Sequence, residues 1–185
     1  MEKKQIGLIG SGSWATAIAK IVTENGHHIT WCLRQQSNIE YFEKRKHNPH
    51  YLRNAYFDVQ RIAFSTDIQW VVSQSDILII AVPSIHIEST LSSLDTEDLK
   101  GKLIISAVKG VLPNHNILLN QFLAQKFDFP IDHYFTLLGP SHAEEVAAEQ
   151  LSYLTFSGVD EANTTLIASY FKSDYINTVV NKDVI

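Results

Sequence analysis

Gln5-Ile6-Gly7-Leu8-Ile9-Gly10-Ser11-Gly12-Ser13-Trp14-Ala15 decides the fold. A short apolar strand runs into two glycines, and a segment with helical period follows. Trp14, Ile18, Ile21 and Val22 share one face of that helix, and Gly26 stops it. Gly10 lets the chain turn sharply out of the strand. Gly12 removes a side chain so that backbone can approach a phosphate, and Ala15 keeps the helix close to the sheet. The free N–H groups at the helix start favour an anion. The glycine string alone is a weak signal, and a plain glycine turn would also produce it. Its place between an N-terminal apolar strand and an amphipathic helix makes it a strong one, and points to the pyrophosphate of a dinucleotide. No Gly-Lys-Ser/Thr follows, which excludes a P-loop.

Outward from this turn, short apolar runs alternate with helical periods. Further strands are expected over 28–33, 77–82, 103–108, 134–138, 153–156 and 176–180. Helices are expected over 13–25, 38–46, 66–73, 85–94, 113–126, 141–149 and 160–171, with Pro113 in the first turn of its helix. The run Ile77–Val82 is apolar at every position, as in strands covered on both faces. The expectation is an α/β fold: a doubly wound, Rossmann-type, mostly parallel sheet with helices on both faces. The longest irregular piece, 47–60, is a candidate binding loop.

In such a sheet ligands bind beyond the carboxyl ends of the strands. The residues least suited to packing gather there: Gly10-Ser11-Gly12, Arg34, Pro83-Ser84, Lys109-Gly110 and Gly139-Pro140-Ser141. The second strand ends in Trp31-Cys32-Leu33-Arg34-Gln35, without the acid that holds the ribose hydroxyls of NAD. Arg34 suits a 2′-phosphate or the adenine face, which favours NADP over NAD, although it also fits a solvated surface. Lys109 is a point charge suited to a substrate phosphate or carbonyl, or to plain solvation. Ser141-His142-Ala143-Glu144 reads as a capping box, with the serine bonding the Glu144 amide.

A net charge of −5 gives no basic stripe for nucleic acid, and no apolar run approaches a membrane span. One cysteine excludes an intrachain disulfide and suits the cytoplasm, as does an N-terminus without a cleavable leader. The histidines show no ligand spacing, so no metal is expected.

Together these residues resemble the bacterial type of NAD(P)-dependent glycerol-3-phosphate dehydrogenase nearly end to end. The resemblance rests on Gly10–Ala17, the Asn48-Pro49-His50-Tyr51-Leu52 loop and Ala81-Val82-Pro83-Ser84. It extends through Ser106–Gly110, Gly139–Val146 and the closing Asn181–Ile185. It implies that Ser13, Trp14, Arg34, Lys109 and Ala143 contact the cofactor, NADP or NAD. Lys109, Gly139 and Ser141 would contact a small phosphorylated three-carbon substrate, glycerol 3-phosphate or dihydroxyacetone phosphate. His142 stands where the family usually has an aromatic residue.

The resemblance makes residues 1–185 the dinucleotide-binding domain. The helical domain with the lysine assigned as acid/base would lie beyond Ile185. The chain alone is therefore expected to bind dinucleotide with little or no turnover. Helix faces left bare would favour self-association into a homo-oligomer. A non-catalytic dinucleotide-sensing module is the reading from another class. The Rossmann domain of a different two-domain reductase is the other alternative.

Overall fold

A computed structural model describes residues 4–139 and 141–184. Pro140, within the expected turn, and Ile185 lie outside the described residues. Eight strands form one sheet: β1 (Ile6–Ile9), β2 (Ile29–Cys32), β3 (Ile62–Ser65), β4 (Ile77–Ile80), β5 (Leu103–Ser106), β6 (Tyr134–Leu138), β7 (Ser152–Gly158) and β8 (Ile176–Asn181). Their order is β3-β2-β1-β4-β5-β6-β7-β8. Neighbours among the first six are parallel. β7 runs antiparallel to β6, and β8 parallel to β7. The first six strands thus take the 3-2-1-4-5-6 order of a dinucleotide-binding sheet. The expected mostly parallel, doubly wound α/β fold is what forms.

The helices are α1 (Ser13–Glu24), α2 (Gln36–Arg45), α3 (Ile68–Ser73), α4 (Ile87–Thr90), α5 (Thr96–Leu99), α6 (Leu119–Phe127), α7 (Ala143–Ala147) and α8 (Glu161–Ser169). They divide between the two faces, and β4 shows why its sequence is apolar at every position. Ile77 and Ile79 enter the layer that holds Ile18, Val22, Trp31 and Phe42. Leu78 and Ile80 enter the opposite layer with Leu91, Leu99, Phe122 and Leu123. Alternate side chains go to opposite layers, and all four are buried.

Several local expectations need correction. Ile62–Ser65 is a strand that the apolar-run reading passed over. It sits at the sheet edge, where Ile62 is the one buried residue of the four, so it lacks the long apolar run of a central strand. Residues 85–94 do not form one helix: a 3-10 turn over Ser84–His86 precedes the single turn of α4. Pro113 does not open a helix. Leu112 and Ile117 pair across a tight turn with Asn116 in the left-handed region, and α6 starts only at Leu119. Asn and Asp tolerate that conformation better than other side-chain-bearing residues, so the Asn114-His115-Asn116 stretch favours a turn.

One polar cluster ties the two halves of the sheet together. Lys20 is 4% exposed on α1, and its ammonium donates to Glu24 and, at 3.0 Å, to Glu149 after α7. The Tyr175 hydroxyl, just before β8, donates to the other Glu24 oxygen at 2.7 Å. Asn25 adds bonds to the carbonyls of Tyr170 and Lys172. These contacts hold the end of α7, and the segment leading into β8, against the flank of α1.

Candidate functional site

β1, β4 and β5 end side by side, and the chain leaves them through Gly10, Ala81 and Ala107. Gly10 has φ +133°, and a Cβ on it would lie 2.2 Å from the Ala81 carbonyl oxygen. Only glycine allows the turn to cross so close to β4. Gly12 differs: its backbone is extended and the space beside it is open. It precedes α1, whose first intrahelical bond runs from the Thr16 N–H to the Gly12 carbonyl at 3.0 Å. The amides ahead of Thr16 therefore have no acceptor within the helix, and Gly12, Ser13 and Trp14 line the opening beside them.

Two side chains that sequence reasoning did not single out hold this turn. The Trp31 indole N–H, fully buried in β2, donates to the Gly10 carbonyl at 2.7 Å. Asn48, 3% exposed, donates to the Thr16 hydroxyl at 2.8 Å and the Ser11 carbonyl at 3.3 Å. Its carbonyl oxygen accepts the N–H groups of His50 and Tyr51 at 2.9 and 3.1 Å. Nothing in the spacing marked Trp31, which reads as core in an apolar strand. Asn48 was visible as part of an irregular loop and of the Asn48–Leu52 stretch that carries the resemblance, but with no role of its own.

Two clefts of about 460 Å³ each flank the turn and share Gly12 and Ala81–Pro83 as their common wall. One brings together Gly12, Ser13, Trp14, Lys109, Ser141 and Ala143. The other extends past Gly10 to Arg34 and Tyr51. Gly139 lies apart from both, in an adjoining 300 Å³ pocket that also touches Trp14 and Lys109. With φ +149°, it passes so close to β7 that a Cβ would stand 2.5 Å from the Tyr153 carbonyl oxygen. Arg34 and Lys109 are both exposed.

The expected capping box at Ser141 does not form. α7 begins two residues later, after His142, whose N–H donates to Glu145 at 3.3 Å. The Ser141 hydroxyl instead donates to the Tyr153 carbonyl of β7 at 3.1 Å, which leaves its lone pairs as acceptors. His142 is exposed. Among the described residues no group of three or more His, Cys, Asp or Glu is placed to hold a metal ion, and no helix is long and apolar enough to cross a membrane.

Cys32, at the end of β2, lines the Arg34 side of the site. Burial, with a smaller push from the Asp67 carboxylate, raises its thiol to about 11 from 9.0. The neutral thiol is thus favoured in the folded state. Its contribution to stability is whole below about pH 9 and is lost as the pH rises towards about 11. At mildly alkaline pH the native thiol is expected to alkylate about a hundredfold more slowly than in the urea-unfolded chain. Equal iodoacetamide rates in the two states would contradict this.

A family model described as NAD-dependent glycerol-3-phosphate dehydrogenase N-terminus matches residues 5–164. The glycerol-3-phosphate dehydrogenase (NAD(P)+) of Limosilactobacillus fermentum is 28% identical over 187 residues, covering 98% of this chain and 55% of the relative. That of Enterococcus faecalis is 29% identical over 185 residues, covering 99% and 54%. The chain spans about half the length of the curated relatives it matches. The crystal structure of the Coxiella burnetii glycerol-3-phosphate dehydrogenase superposes with a TM-score of 0.87 at 20% identity, over 98% of this chain and 55% of that one. A Plasmodium falciparum pyrroline carboxylate reductase with NADP bound reaches 0.65 at 13% identity, over 97% and 58%. These two likenesses concern the fold alone.

Proposed function

The chain belongs to the NAD-dependent glycerol-3-phosphate dehydrogenase N-terminus family, and from that premise we propose that it is the dinucleotide-binding domain of such an enzyme. The whole enzyme would interconvert glycerol 3-phosphate and dihydroxyacetone phosphate. One observation carries this reading: the open backbone at Gly12, the start of α1 and the Lys109 ammonium share a single cleft. The residues present fit a dinucleotide. Gly10 permits the turn, Gly12 leaves room for the pyrophosphate, and the first amides of α1 meet its charge.

When bound, the nicotinamide supplies the hydride acceptor or donor. The chain's own residues hold and orient. Ser13, Trp14 and Ala143 line the half of the site where the nicotinamide would rest. Lys109 projects where the same cleft meets the Gly139 pocket, and offers a cation to the substrate phosphate. Ser141, its hydroxyl hydrogen spent on Tyr153, accepts a bond from a substrate hydroxyl. No acid/base for the C2 oxygen is assigned among residues 1–185, and the reading places that step in the remainder of a full-length enzyme. A cytoplasmic location and self-association belong to the same reading. The single half-buried cysteine and the exposed apolar residues Leu138, Tyr153 and Val179 support them.

NADP is the favoured cofactor, because Arg34 stands just past β2, where an acid would select NAD. The test is a fluorescence titration of the chain, which holds three tryptophans, with NADPH and NADH. Both are expected to bind, NADPH more tightly. Arg34→Ala is expected to lower NADPH affinity about tenfold relative to NADH, the worth of one charge-assisted contact. Absence of binding by either dinucleotide would refute the domain assignment. A preference for NADH that Arg34→Ala leaves unaltered would refute the role of Arg34.

A further inference from the structure

We propose that His50 is a second cation for the 2′-phosphate of the dinucleotide, so that the preference for NADP over NAD grows as the pH falls. The inference rests on the dinucleotide reading above and goes beyond it to a residue on a different element. A cleft of about 210 Å³ opens between the end of β2, the start of α2 and the 47–57 strap. It is lined by Arg34, Gln35, Asn38, Asn48, His50 and Tyr51, together with Ser11 of the glycine turn. Ser11, Leu33, Arg34 and Tyr51 also line the larger cleft beside Gly10, so the two are continuous. At 210 Å³ it is smaller than ordinary ligand pockets of about 300–1,000 Å³ and suits a single charged group attached to a larger ligand.

The lining is rich in donors and holds no carboxylate, although the chain carries 20 acidic residues against 15 Lys and Arg. His50 is placed there by the buried Asn48. Its N–H donates to the Asn48 oxygen at 2.9 Å, while the Asn48 amide donates to the Ser11 carbonyl at 3.3 Å. The strap that carries the imidazole is therefore tied to the turn that would hold the pyrophosphate. From the end of β2 the charged group lining the cleft is Arg34, and α2 with its N-cap contributes the neutral Asn38 and Gln35. On the strap itself, Tyr51 lies edge-on to His50 at 6.4 Å between ring centroids. Arg53 is turned back on its own loop, its Nε donating to the Pro49 carbonyl at 3.2 Å.

A phosphate in this cleft meets one fixed cation, Arg34, and an imidazole, the kind of side chain that a neighbouring anion favours in its protonated form. NADH lacks the 2′-phosphate and supplies the reference for each protein. The experiment measures Kd for NADPH and NADH at about pH 6 and about pH 8 on the wild type, His50→Gln and His50→Arg. The phosphate of the free dinucleotide also titrates near pH 6, and that part is common to the three proteins and cancels between them. Between about pH 8 and about pH 6 the NADPH preference is expected to change about fivefold more favourably in the wild type than in His50→Gln. His50→Arg is expected to carry the raised preference already at the higher pH. A His50→Gln profile that tracks the wild type would overturn the proposal, as would a His50→Arg preference no higher than wild type at the higher pH. Loss of both dinucleotides from the wild type itself would instead overturn the dinucleotide reading on which the proposal rests.

Discussion

Gly10→Ala is expected to destabilise the chain severely, while Gly12→Ala, two residues on, leaves it folded and removes most of its dinucleotide affinity. The two glycines look alike in sequence, and the structure separates them. At Gly10 a Cβ would be driven to 2.2 Å from a backbone oxygen of Ala81, at a φ of +133°. Backbone strain and overpacking cost about 1–3 kcal/mol each, so the substitution should cost about 2–6 kcal/mol. That is a large part of the 5–15 kcal/mol typical of a domain. Urea denaturation reads it directly.

At Gly12 the same methyl enters open space from an extended backbone, so the folding midpoint should move little. Its cost falls on the ligand, because the methyl occupies the volume through which a phosphate reaches the amides of α1. An affinity loss of about tenfold or more is expected, the scale of one lost charge-assisted contact. A Gly12→Ala protein that binds NADPH as the wild type does would show that the pyrophosphate lies elsewhere. A Gly10→Ala protein with an unchanged midpoint would show that the turn is not set by its contact with β4.

The contrast marks where sequence stops being informative. The layers of the sheet were legible because a central parallel strand has to be apolar on both sides, and Ile77–Ile80 and Leu103–Ile105 are. The rim was legible because residues unsuited to an apolar core, glycine, arginine and lysine, gather just past the strand ends. β3 escaped because an edge strand needs only one buried side chain in four, and Ile62 alone is too little pattern to see. The helix expected from Pro113 failed because a proline suits a tight turn as well as a first helical turn. Local sequence does not record the Leu112–Ile117 pairing that decides between them. Ser141 kept its predicted place beside the site but not its partner. A helix start shifted by two residues hands the capping role on and frees the hydroxyl for Tyr153, 12 residues away. Trp31 and Asn48 were invisible as site residues for the same reason. Their bonds reach 21 and 37 residues back to the glycine turn, and distance along the chain hides them.

Asn48→Ala is expected to cost both stability and affinity, and to do so through the strap. The side chain makes four hydrogen bonds in a place 3% exposed to solvent. Removing it leaves the Ser11 carbonyl and the His50 and Tyr51 amides without that partner. The Thr16 hydroxyl keeps its own bond to the Gly12 carbonyl at 2.8 Å, so it is the least affected. Each buried polar group left unpaired costs about 1–3 kcal/mol, and water entering from the adjoining cleft recovers part of that. A net loss of about 2–4 kcal/mol follows, which lowers Tm by about 4–16 °C in a chain of this size. Amide exchange should accelerate at His50 and Tyr51 well beyond the change in global stability, because those two protons lose their acceptor. Asn48→Asp separates the two halves of the clamp. It keeps an acceptor for the His50 and Tyr51 amides, but sets a second oxygen against the Ser11 carbonyl and replaces a donor there with repulsion. It should therefore protect the strap amides while still weakening dinucleotide binding, because the glycine turn, not the strap, loses its support. If Asn48→Ala melts within a degree or two of wild type and its strap amides stay protected, the turn and strap are held by something other than this side chain.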